Sequence, residues 1–373
     1  MSHSFLPPER ILMGPGPSDV SPRVLAAMAR HTIGHLDPAF VELMEDVKDL
    51  LRHAFLTQNS VTFPLSSPAS AAMELCLINL LEPGDKVIVA INGVFGGRMA
   101  EIARRCGAEV VTVESEWGRA VELDKVAEKL EQHSDAKLLA VVHGETSTGA
   151  ASDVASLAQL AHEHDCLILV DAVTSLGGIP LKVDEWELDA VYSGTQKCLS
   201  CAPGIAPLTL SERAVKAIQN RKTPVQSWFL DVNLMLNYWS GDGGRTYHHT
   251  APVNGMYGLH ESLLMLLEEG LEASWARHAQ HHESLVAQLE QLGLSMFVPA
   301  DERLPQLNTV TIPDGCDDAA VRRYLLIEYG LEIGAGLGPL AGKVWRIGLM
   351  GHSCDQEHVD LSVRALKEAL REA

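Results

Sequence analysis

Two short apolar runs, each leading to a chemically reactive side chain, constrain the fold more than any other feature of this sequence. The run 167–170 (LILV) ends at Asp171, and the run 190–192 (AVY) leads through Ser-Gly-Thr-Gln to Lys197. Short apolar runs bounded by turn residues are typical of buried strands in a parallel sheet. Because functional groups in open α/β sheets gather at the carboxyl ends of the strands, we expect Asp171 and Lys197 at one edge of one sheet.

The rest of the chain supports an α/β fold with a doubly wound, mostly parallel sheet. Predicted strands alternate with predicted helices up to about residue 255, and an α+β pattern follows. We therefore expect an N-terminal arm at 1–20 that forms no regular element, a large domain at 21–255 and a smaller α+β domain at 256–373. The predicted strands are 86–91, 109–113, 137–142, 308–312 and 344–347, and the predicted helices are 37–55, 71–81, 95–106, 153–164, 259–271, 275–292, 317–328 and 355–371.

The composition argues against several classes of partner. The formal net charge is −20, which disfavours nucleic acid and anionic membranes. No apolar run is long enough for a membrane span, and neither a secretory signal nor a peroxisomal C-terminal address is evident. The seven cysteines have no framework spacing, so we expect free thiols and a cytoplasmic location.

A carboxylate and a lysine amine at one sheet edge suit pyridoxal phosphate (PLP). The lysine can form a Schiff base with the PLP aldehyde, and the acid can pair with the protonated pyridine nitrogen, which lets the ring act as an electron sink. The sequence predicts no metal site. Cys198 and Cys201 lack a second pair, and His278, His281 and His282 are interpreted as a solvated helix face.

Seven segments, in order and nearly end to end, resemble the class V, fold-type I PLP enzymes. The resemblance is strongest to the alanine–glyoxylate / serine–pyruvate aminotransferases, and it covers MGPGPSDVSPRVL, LEPGDKVIVAINGVFGGR, VVHGETSTGA, LVDAVTSLGG, YSGTQKCLSCAPG, RTYHHTAPVNGMYGLHESL and GKVWRIGLMG. It implies transamination between a small amino acid (alanine or serine) and a small 2-oxo acid (glyoxylate or pyruvate). Together the seven segments are far more specific than any one of them.

The resemblance also implies roles for the residues around the cofactor ring. Lys197 would carry PLP and act as the general base between the substrate Cα and the cofactor C4′. Asp171 would pair with the pyridine nitrogen, and Val173 would support the underside of the ring. Phe95 stands where the family often stacks a tryptophan on the ring, and Ser147 matches a serine that hydrogen-bonds the phenolic oxygen.

The phosphate segment departs from the family pattern. The family has a glycine-rich Ser-Gly-x-Gly-His sequence here, whereas this chain has Ser-Ser-Pro-Ala-Ser at 66–70. Ala69 and Ser70 match phosphate contacts, and the helix that follows would offer backbone N–H groups. Gln196 matches a further phosphate contact.

The resemblance places the remaining site residues in the second domain, the arm and the neighbouring subunit. Arg346 would bind the substrate carboxylate bidentately, and Gly16 of the arm would close over the same substrate. Tyr247 and Thr250 match residues that reach the phosphate in the partner's site. We therefore expect a homodimer with shared active sites.

Other functions remain open from the sequence. Class V relatives that act on ureidoglycine or pyridoxamine share most of these motifs. A desulfurase would need a reactive cysteine on a mobile loop, which the segment 334–338 lacks. A non-catalytic regulator should lack Lys197, Asp171 or Arg346, and a dehydrogenase should carry a Gly-x-Gly-x-x-Gly segment after its first strand.

Overall fold

The computed structural model describes residues 3–239 and 245–372. The first two residues of the predicted arm and the last residue of the predicted second domain lie outside this part. The helices are α1 (Pro22–Met28), α2 (Pro38–Phe55), α3 (Ala69–Leu80), α4 (Val94–Arg105), α5 (Leu123–Gln132), α6 (Val154–Glu163), α7 (Glu212–Gln219), α8 (Val232–Trp239), α9 (Val253–Glu269), α10 (Leu271–Gln291), α11 (Asp318–Glu328) and α12 (Gln356–Glu372). Within the described ranges, no helix is long and apolar enough to cross a membrane.

The strands form one large sheet and several small ones. They are β1 (Ile11–Leu12), β2 (Val61–Leu65), β3 (Lys86–Ile91), β4 (Glu109–Glu114), β5 (Ala136–Val142), β6 (Gly144–Glu145), β7 (Ala150–Ala151), β8 (Leu167–Asp171), β9 (Ala190–Tyr192), β10 (Ala206–Leu210), β11 (Leu307–Thr311), β12 (Leu331–Glu332), β13 (Gly334–Ala335) and β14 (Val344–Gly348). The large sheet has the order β2-β10-β9-β8-β5-β3-β4.

The large sheet is mostly parallel, which confirms the predicted α/β class. Strands β9, β8, β5, β3 and β4 run parallel to their neighbours, whereas β10 is antiparallel to both β9 and β2. The side chains of β5, β8, β9 and β10 are almost entirely buried, as their continuous apolar runs predict, whereas the edge strand β4 is mostly half-buried or exposed. The carboxyl ends of β5, β8 and β9 therefore meet at one edge.

Two strands of this sheet are absent from the sequence prediction. Both β2 and β10 contain a proline, and Pro64 lies directly opposite Pro207 in the antiparallel pair. Proline has no N–H to donate to a ladder, so its presence disfavours a strand in a sequence-based interpretation. The structure accommodates the two prolines near the sheet edge formed by β2.

The C-terminal part has its own sheet and its own apolar core. The sheet has the order β11-β14-β13, and α10, α11 and α12 pack their apolar residues into a second cluster with it. The N-terminal arm joins this part, because β1 pairs with β12 and Met13 lies in the second cluster. The expectation that the arm forms no element is thus wrong for Ile11 and Leu12, which are too few to give a periodic pattern. The domain division at 255, which falls inside α9, stays a prediction.

Candidate active site

Asp171 ends β8 as a buried carboxylate that is held on both oxygens. Oδ1 accepts a hydrogen bond from the Val173 amide at 2.9 Å, and Oδ2 accepts one from the Tyr192 hydroxyl at 2.7 Å. Tyr192 is the direct neighbour of Asp171 in the parallel pairing of β8 with β9. Burial raises the pKa of Asp171 to about 6, against the opposing effect of these two hydrogen bonds. The carboxylate is therefore fixed in orientation and still mostly ionised at pH 7.

Lys197 follows β9 and brings a buried amine to the same edge. Only 8% of its surface is exposed, and Nζ donates a hydrogen bond to the Pro15 carbonyl of the arm. Burial, together with the nearby positive charge of Arg346, lowers the pKa of Lys197 to about 8, against the opposing effects of Cys198 and Asp171. A lysine with a lowered pKa beside a buried acid is typical of a catalytic site.

The arm fits closely over Lys197 at Gly16. Gly16 has a φ of +103°, and a Cβ built there would lie 2.8 Å from Cδ and Cε of Lys197 and closer still to Nζ. Ser18 fixes the next part of the arm, because its hydroxyl donates to the Lys197 carbonyl at 2.7 Å. Gly16 therefore contacts the reactive amine itself.

Asp171 and Lys197 share one cavity with most of the predicted cofactor contacts. Predicted residues in its wall are Ala69, Ser70, Phe95, Val173 and Gln196, and the other lining residues are Pro68, Met73, Arg98, Val142, Gly144, Thr146, Thr174 and Tyr192. Seven of the ten predicted cofactor contacts thus lie around one space.

The first turn of α3 forms one end of this cavity. Pro68 precedes the helix and provides no side-chain cap. The amides of Ala69 and Ser70 have no intrahelical partner, as in the first turn of any helix. Gln196 lies against the same turn, since a Cβ at Gly194 would sit 2.6 Å from Gln196 Oε1 and 3.3 Å from the Ala69 Cβ. Free amides at a helix N-terminus form a site for an anion.

Ser147 is buried outside the lining of the cavity and is already hydrogen-bonded. Its hydroxyl donates to Glu145 Oε1 at 2.6 Å and accepts from the Val94 amide at 2.9 Å. Glu145 is fully buried and also accepts from the Ser147 and Phe95 amides. Burial raises the pKa of Glu145, while these hydrogen bonds oppose that shift. Glu145 joins Ser147 to the first turn of α4 and is not among the site residues predicted from the sequence.

Arg346 lies on β14 of the C-terminal sheet and reaches the loop between β6 and β7. Its Nε donates to the Ala335 carbonyl at 2.7 Å, and Nη1 donates to the Thr146 carbonyl at 3.0 Å, where Thr146 lines the cavity. Burial lowers the pKa of Arg346 to about 10, and Glu145 opposes this shift. No carboxylate within the described ranges forms an ion pair with this buried arginine, so its charge is available for a ligand.

Tyr247 and Thr250 do not reach the cavity of their own chain. Both are exposed, with 63% of the Tyr247 surface accessible. The segment between them is anchored to the chain by His249, whose Nε2 lies 2.7 Å from the Ser66 hydroxyl. Neither side chain therefore lines the cavity that the same chain builds.

The expectation that His278, His281 and His282 form a solvated helix face is wrong for His278, whereas His281 and His282 are half-buried. His278 is fully buried; its Nε2 accepts from the Gly351 amide at 3.0 Å, and its Nδ1 lies 2.7 Å from the Ser274 carbonyl. Burial lowers the pKa of His278 to about 4, so the ring is neutral. In the part of the chain that the structure covers, no group of three or more histidine, cysteine or acidic side chains could hold a metal.

Sequence reasoning also missed Tyr192 and Arg98. Tyr192 could have been found, because two predicted parallel strands in register place the last residue of one beside the last residue of the other. Arg98 lies three residues after Phe95 on α4, so a helical-wheel argument would have put both side chains on one face.

Comparisons with known proteins agree with this geometry. The class-V aminotransferase family model matches residues 13–360. The chain is 43% identical to the alanine–glyoxylate aminotransferase of Callithrix jacchus, over 98% of this chain and 88% of the relative. It is 38% identical to the (S)-ureidoglycine–glyoxylate transaminase of Bacillus subtilis, over 97% and 91% of the two chains.

The fold is equally similar to that of solved enzymes. The crystal structure of an alanine–glyoxylate aminotransferase from Nostoc sp. superposes with a TM-score of 0.97 at 46% identity, covering 100% of this chain and 98% of that one. The similarity extends over both sheets and the arm, which is the arrangement of fold-type I. Since the family model and these relatives span nearly the whole chain, this protein belongs to the class-V aminotransferases, which are PLP-dependent enzymes.

Proposed function

We propose that this aminotransferase binds PLP in the cavity between Asp171 and Lys197 and transfers the amino group of alanine to glyoxylate. The observation that carries the proposal is the buried Lys197 amine, which faces the same space as the buried Asp171 carboxylate. The substrate pair is supported by relatives named alanine–glyoxylate aminotransferases at 40–43% identity.

The lining of the cavity suits PLP at both ends. Each oxygen of Asp171 has accepted one hydrogen bond and keeps a lone pair, so the carboxylate can accept another from a protonated pyridine nitrogen. The amides that begin α3 suit the phosphate, and Ala69, Ser70 and Gln196 surround that position. Val173 and Phe95 provide apolar contacts for the ring. When bound, PLP supplies the electron sink that makes the substrate Cα proton acidic.

We assign proton transfer to Nζ of Lys197. With its pKa lowered to about 8, roughly a tenth of the amine is neutral at pH 7, whereas an ordinary lysine would be almost entirely protonated. The neutral amine can take the proton from the Cα of the amino acid, and it can give a proton back when the 2-oxo acid is converted to an amino acid. The Pro15 carbonyl orients the amine by accepting its hydrogen bond.

Arg346 is the proposed site for the carboxylate that all substrates of this reaction share. Its guanidinium plane is fixed by the Ala335 and Thr146 carbonyls, and its charge is buried without a described carboxylate. A ligand carboxylate would relieve the cost of this buried charge, which favours amino and 2-oxo acids over amines. Gly16 would close the site above the same substrate.

Ser147 would contact the cofactor while it belongs to a hydrogen-bond network with Glu145. Its hydroxyl proton already points to Glu145, so we propose that it meets the phenolic oxygen of PLP only if this bond rearranges. The Glu145 carboxylate would then hold the Ser147 amide and the first turn of α4 in place.

We further propose a homodimer in which Tyr247 and Thr250 contact the phosphate in the partner's cavity. Their exposure and their absence from the lining of their own cavity support this assignment. We also propose a reducing compartment, the cytoplasm, because each of the seven cysteines is a free thiol.

A second amino donor, (S)-ureidoglycine, is favoured by one observation. The ureidoglycine–glyoxylate aminotransferase of Bacillus subtilis superposes on this chain with a TM-score of 0.97 at 39% identity. Both named activities use glyoxylate, so the acceptor is common to the two candidates and the donor separates them.

Two measurements test the proposal. Borohydride reduction of the PLP-loaded protein, followed by peptide mapping, should place the cofactor on Lys197; label on another lysine would contradict the site. Half-reaction spectra with alanine, serine and (S)-ureidoglycine should show the fastest loss of the PLP absorbance band with alanine. A faster change with ureidoglycine would instead assign the second donor.

A further inference from the structure

Arg98 brings to the cavity a positive charge that forms no ion pair with the described residues. It lies on α4 with an exposed side chain, and among the described lining residues the positive charges belong to Lys197 and Arg98. The ion pair on α4 joins Arg105 to Glu101, and Arg98 has no such partner within the ranges that the structure describes. An arginine in a cavity wall without a described ion-pair partner is free to contact an anionic ligand.

The Arg98 guanidinium is held between the two features that would contact the cofactor. Nη1 donates to the Ser70 hydroxyl at 3.3 Å, which brings the charge to the first turn of α3. Its central carbon lies 4.9 Å from the centroid of the Phe95 ring, a cation–π distance. Arg98 thus lies at the end of the cavity where the first turn of α3 has free amides.

The unusual phosphate segment makes a charge at this end more important. Pro68 takes a place in the turn but has no N–H, so the segment 66–70 offers fewer amide donors than a glycine-rich turn of the same length. A phosphate dianion there would be held by the Ala69 and Ser70 amides and by hydroxyl groups. The flat, forked arginine head suits phosphate oxygens and can supply the missing interaction from the side of α4.

We propose that Arg98 binds the phosphate of the cofactor, together with Ser70, in place of the donors that Pro68 removes. The inference rests on the proposed PLP site. The N–H groups of the Arg98 guanidinium would bind the phosphate, while the plane of the guanidinium lies over the Phe95 ring. No chemical step is assigned to it; its effect is on the affinity and position of the cofactor.

The test compares two probes that differ by the phosphate alone. Apoprotein is titrated with PLP and with pyridoxal, and the absorbance of the lysine-bound form reports binding. In Arg98→Gln, the Kd for PLP should rise about tenfold, as expected for one charge-assisted hydrogen bond, and the Kd for pyridoxal should not change. Arg104→Gln is the matched control, since Arg104 is an exposed arginine on the same helix outside the cavity lining; it should leave both values unchanged.

Competition by inorganic phosphate gives a second measurement, which tests phosphate binding without the pyridine ring of the cofactor. It should slow PLP capture by the wild-type apoprotein, and about tenfold more phosphate should be needed in Arg98→Gln. Arg98→Lys, which keeps the charge but loses the fork, should fall between wild type and Arg98→Gln in both assays.

The outcomes that overturn the inference are distinct from failure of the proposed function. Equal weakening of PLP and pyridoxal would mean that Arg98 acts by positioning Phe95 rather than by binding phosphate. Unchanged PLP affinity, or phosphate inhibition equal to that of wild type, would remove Arg98 from the site. If wild-type protein carried PLP on a lysine other than Lys197, the proposed function itself would fail.

Discussion

Replacing Gly16 by alanine tests whether the arm sets the position of the reactive amine. The new methyl group would lie 2.8 Å from Cδ and Cε of Lys197 and closer to Nζ, where ordinary contacts begin at 3.4 Å. Because the clash is with the flexible end of a side chain, the lysine can yield, but its amine must move by about 1 Å. It would then lose its hydrogen bond to the Pro15 carbonyl.

Two separate costs follow from this substitution. The φ of +103° is unfavourable for alanine, which should lower the free energy of unfolding by on the order of 1–3 kcal/mol. A misplacement of about 1 Å at a reacting group can cost on the order of 100-fold in rate. We therefore expect Gly16→Ala to slow both PLP capture and the half-reaction with alanine by about 10- to 100-fold.

Gly204→Ala separates the two costs. Gly204 has a φ of +116° but no atom within 4 Å of the position of a Cβ. This control should lose similar stability in urea unfolding while capturing PLP at the wild-type rate in stopped-flow absorbance. If Gly16→Ala also captured PLP and turned over alanine at the rates of Gly204→Ala, the close fit of the arm would have no bearing on the amine, and the reasoning would be refuted.

Four further substitutions or conditions have defined outcomes. Arg346→Ala should raise the apparent KM for both alanine and glyoxylate by at least about 30-fold, since a desolvated charge pair is worth on the order of 2–5 kcal/mol, with PLP still bound; unchanged KM values would count against a carboxylate site. The rate of PLP capture should rise with pH with a midpoint at about 8, because the neutral Lys197 amine is the nucleophile, and Arg346→Ala should move this midpoint upwards; a flat profile between pH 6 and 9 would contradict the lowered pKa. Glu145→Gln should destabilise the fold by about 1–3 kcal/mol, because its amide would face donors, whereas exposed Glu101→Gln should change stability by less than about 0.5 kcal/mol. Subunit exchange between Lys197→Ala and the double variant Tyr247→Phe, Thr250→Ala should restore up to half of the activity per heterodimer, since both defects then fall in one site; no recovery, with exchange shown by mass, would mean that the two residues do not serve the partner.

The sequence was informative where function follows from strand order. Asp171 and Lys197 each follow a buried apolar run, and parallel strands bring such positions to one edge whatever the details of packing. The helix caps were similarly local, since Asp153 and Asp317 accept from amides in the first turn of the helices they begin. These features depend on a few neighbouring residues.

The parts that could not be predicted depend on contacts distant in sequence. In the sequence, Glu145 cannot be distinguished from any other acidic residue in a loop. Its role becomes visible only in the fold, where the first turn of α4 packs against it. The sequence suggests that His278 is an ordinary polar helix residue, because its hydrogen-bond partner, the Gly351 amide, is 73 positions away. The prolines of β2 and β10 disfavour a strand in each sequence, and the two strands are recognised only from their pairing with each other. In each case the physical cause is a partner that no local pattern identifies.

Next to the pairing of β1 with β12, a short strip of chain, residues 13–15, connects the strand that carries Arg346 with the Lys197 amine. Met13 donates through its amide to the Glu332 carbonyl and accepts at its own carbonyl from the Gly348 amide, two residues beyond Arg346. Two residues further along the arm, the Pro15 carbonyl accepts from Lys197. A strip of three residues spans at most about 11 Å. The strip therefore acts as a tether. While these hydrogen bonds last, the guanidinium that would hold the substrate carboxylate and the amine that would move its proton can separate only as far as a few backbone bonds allow.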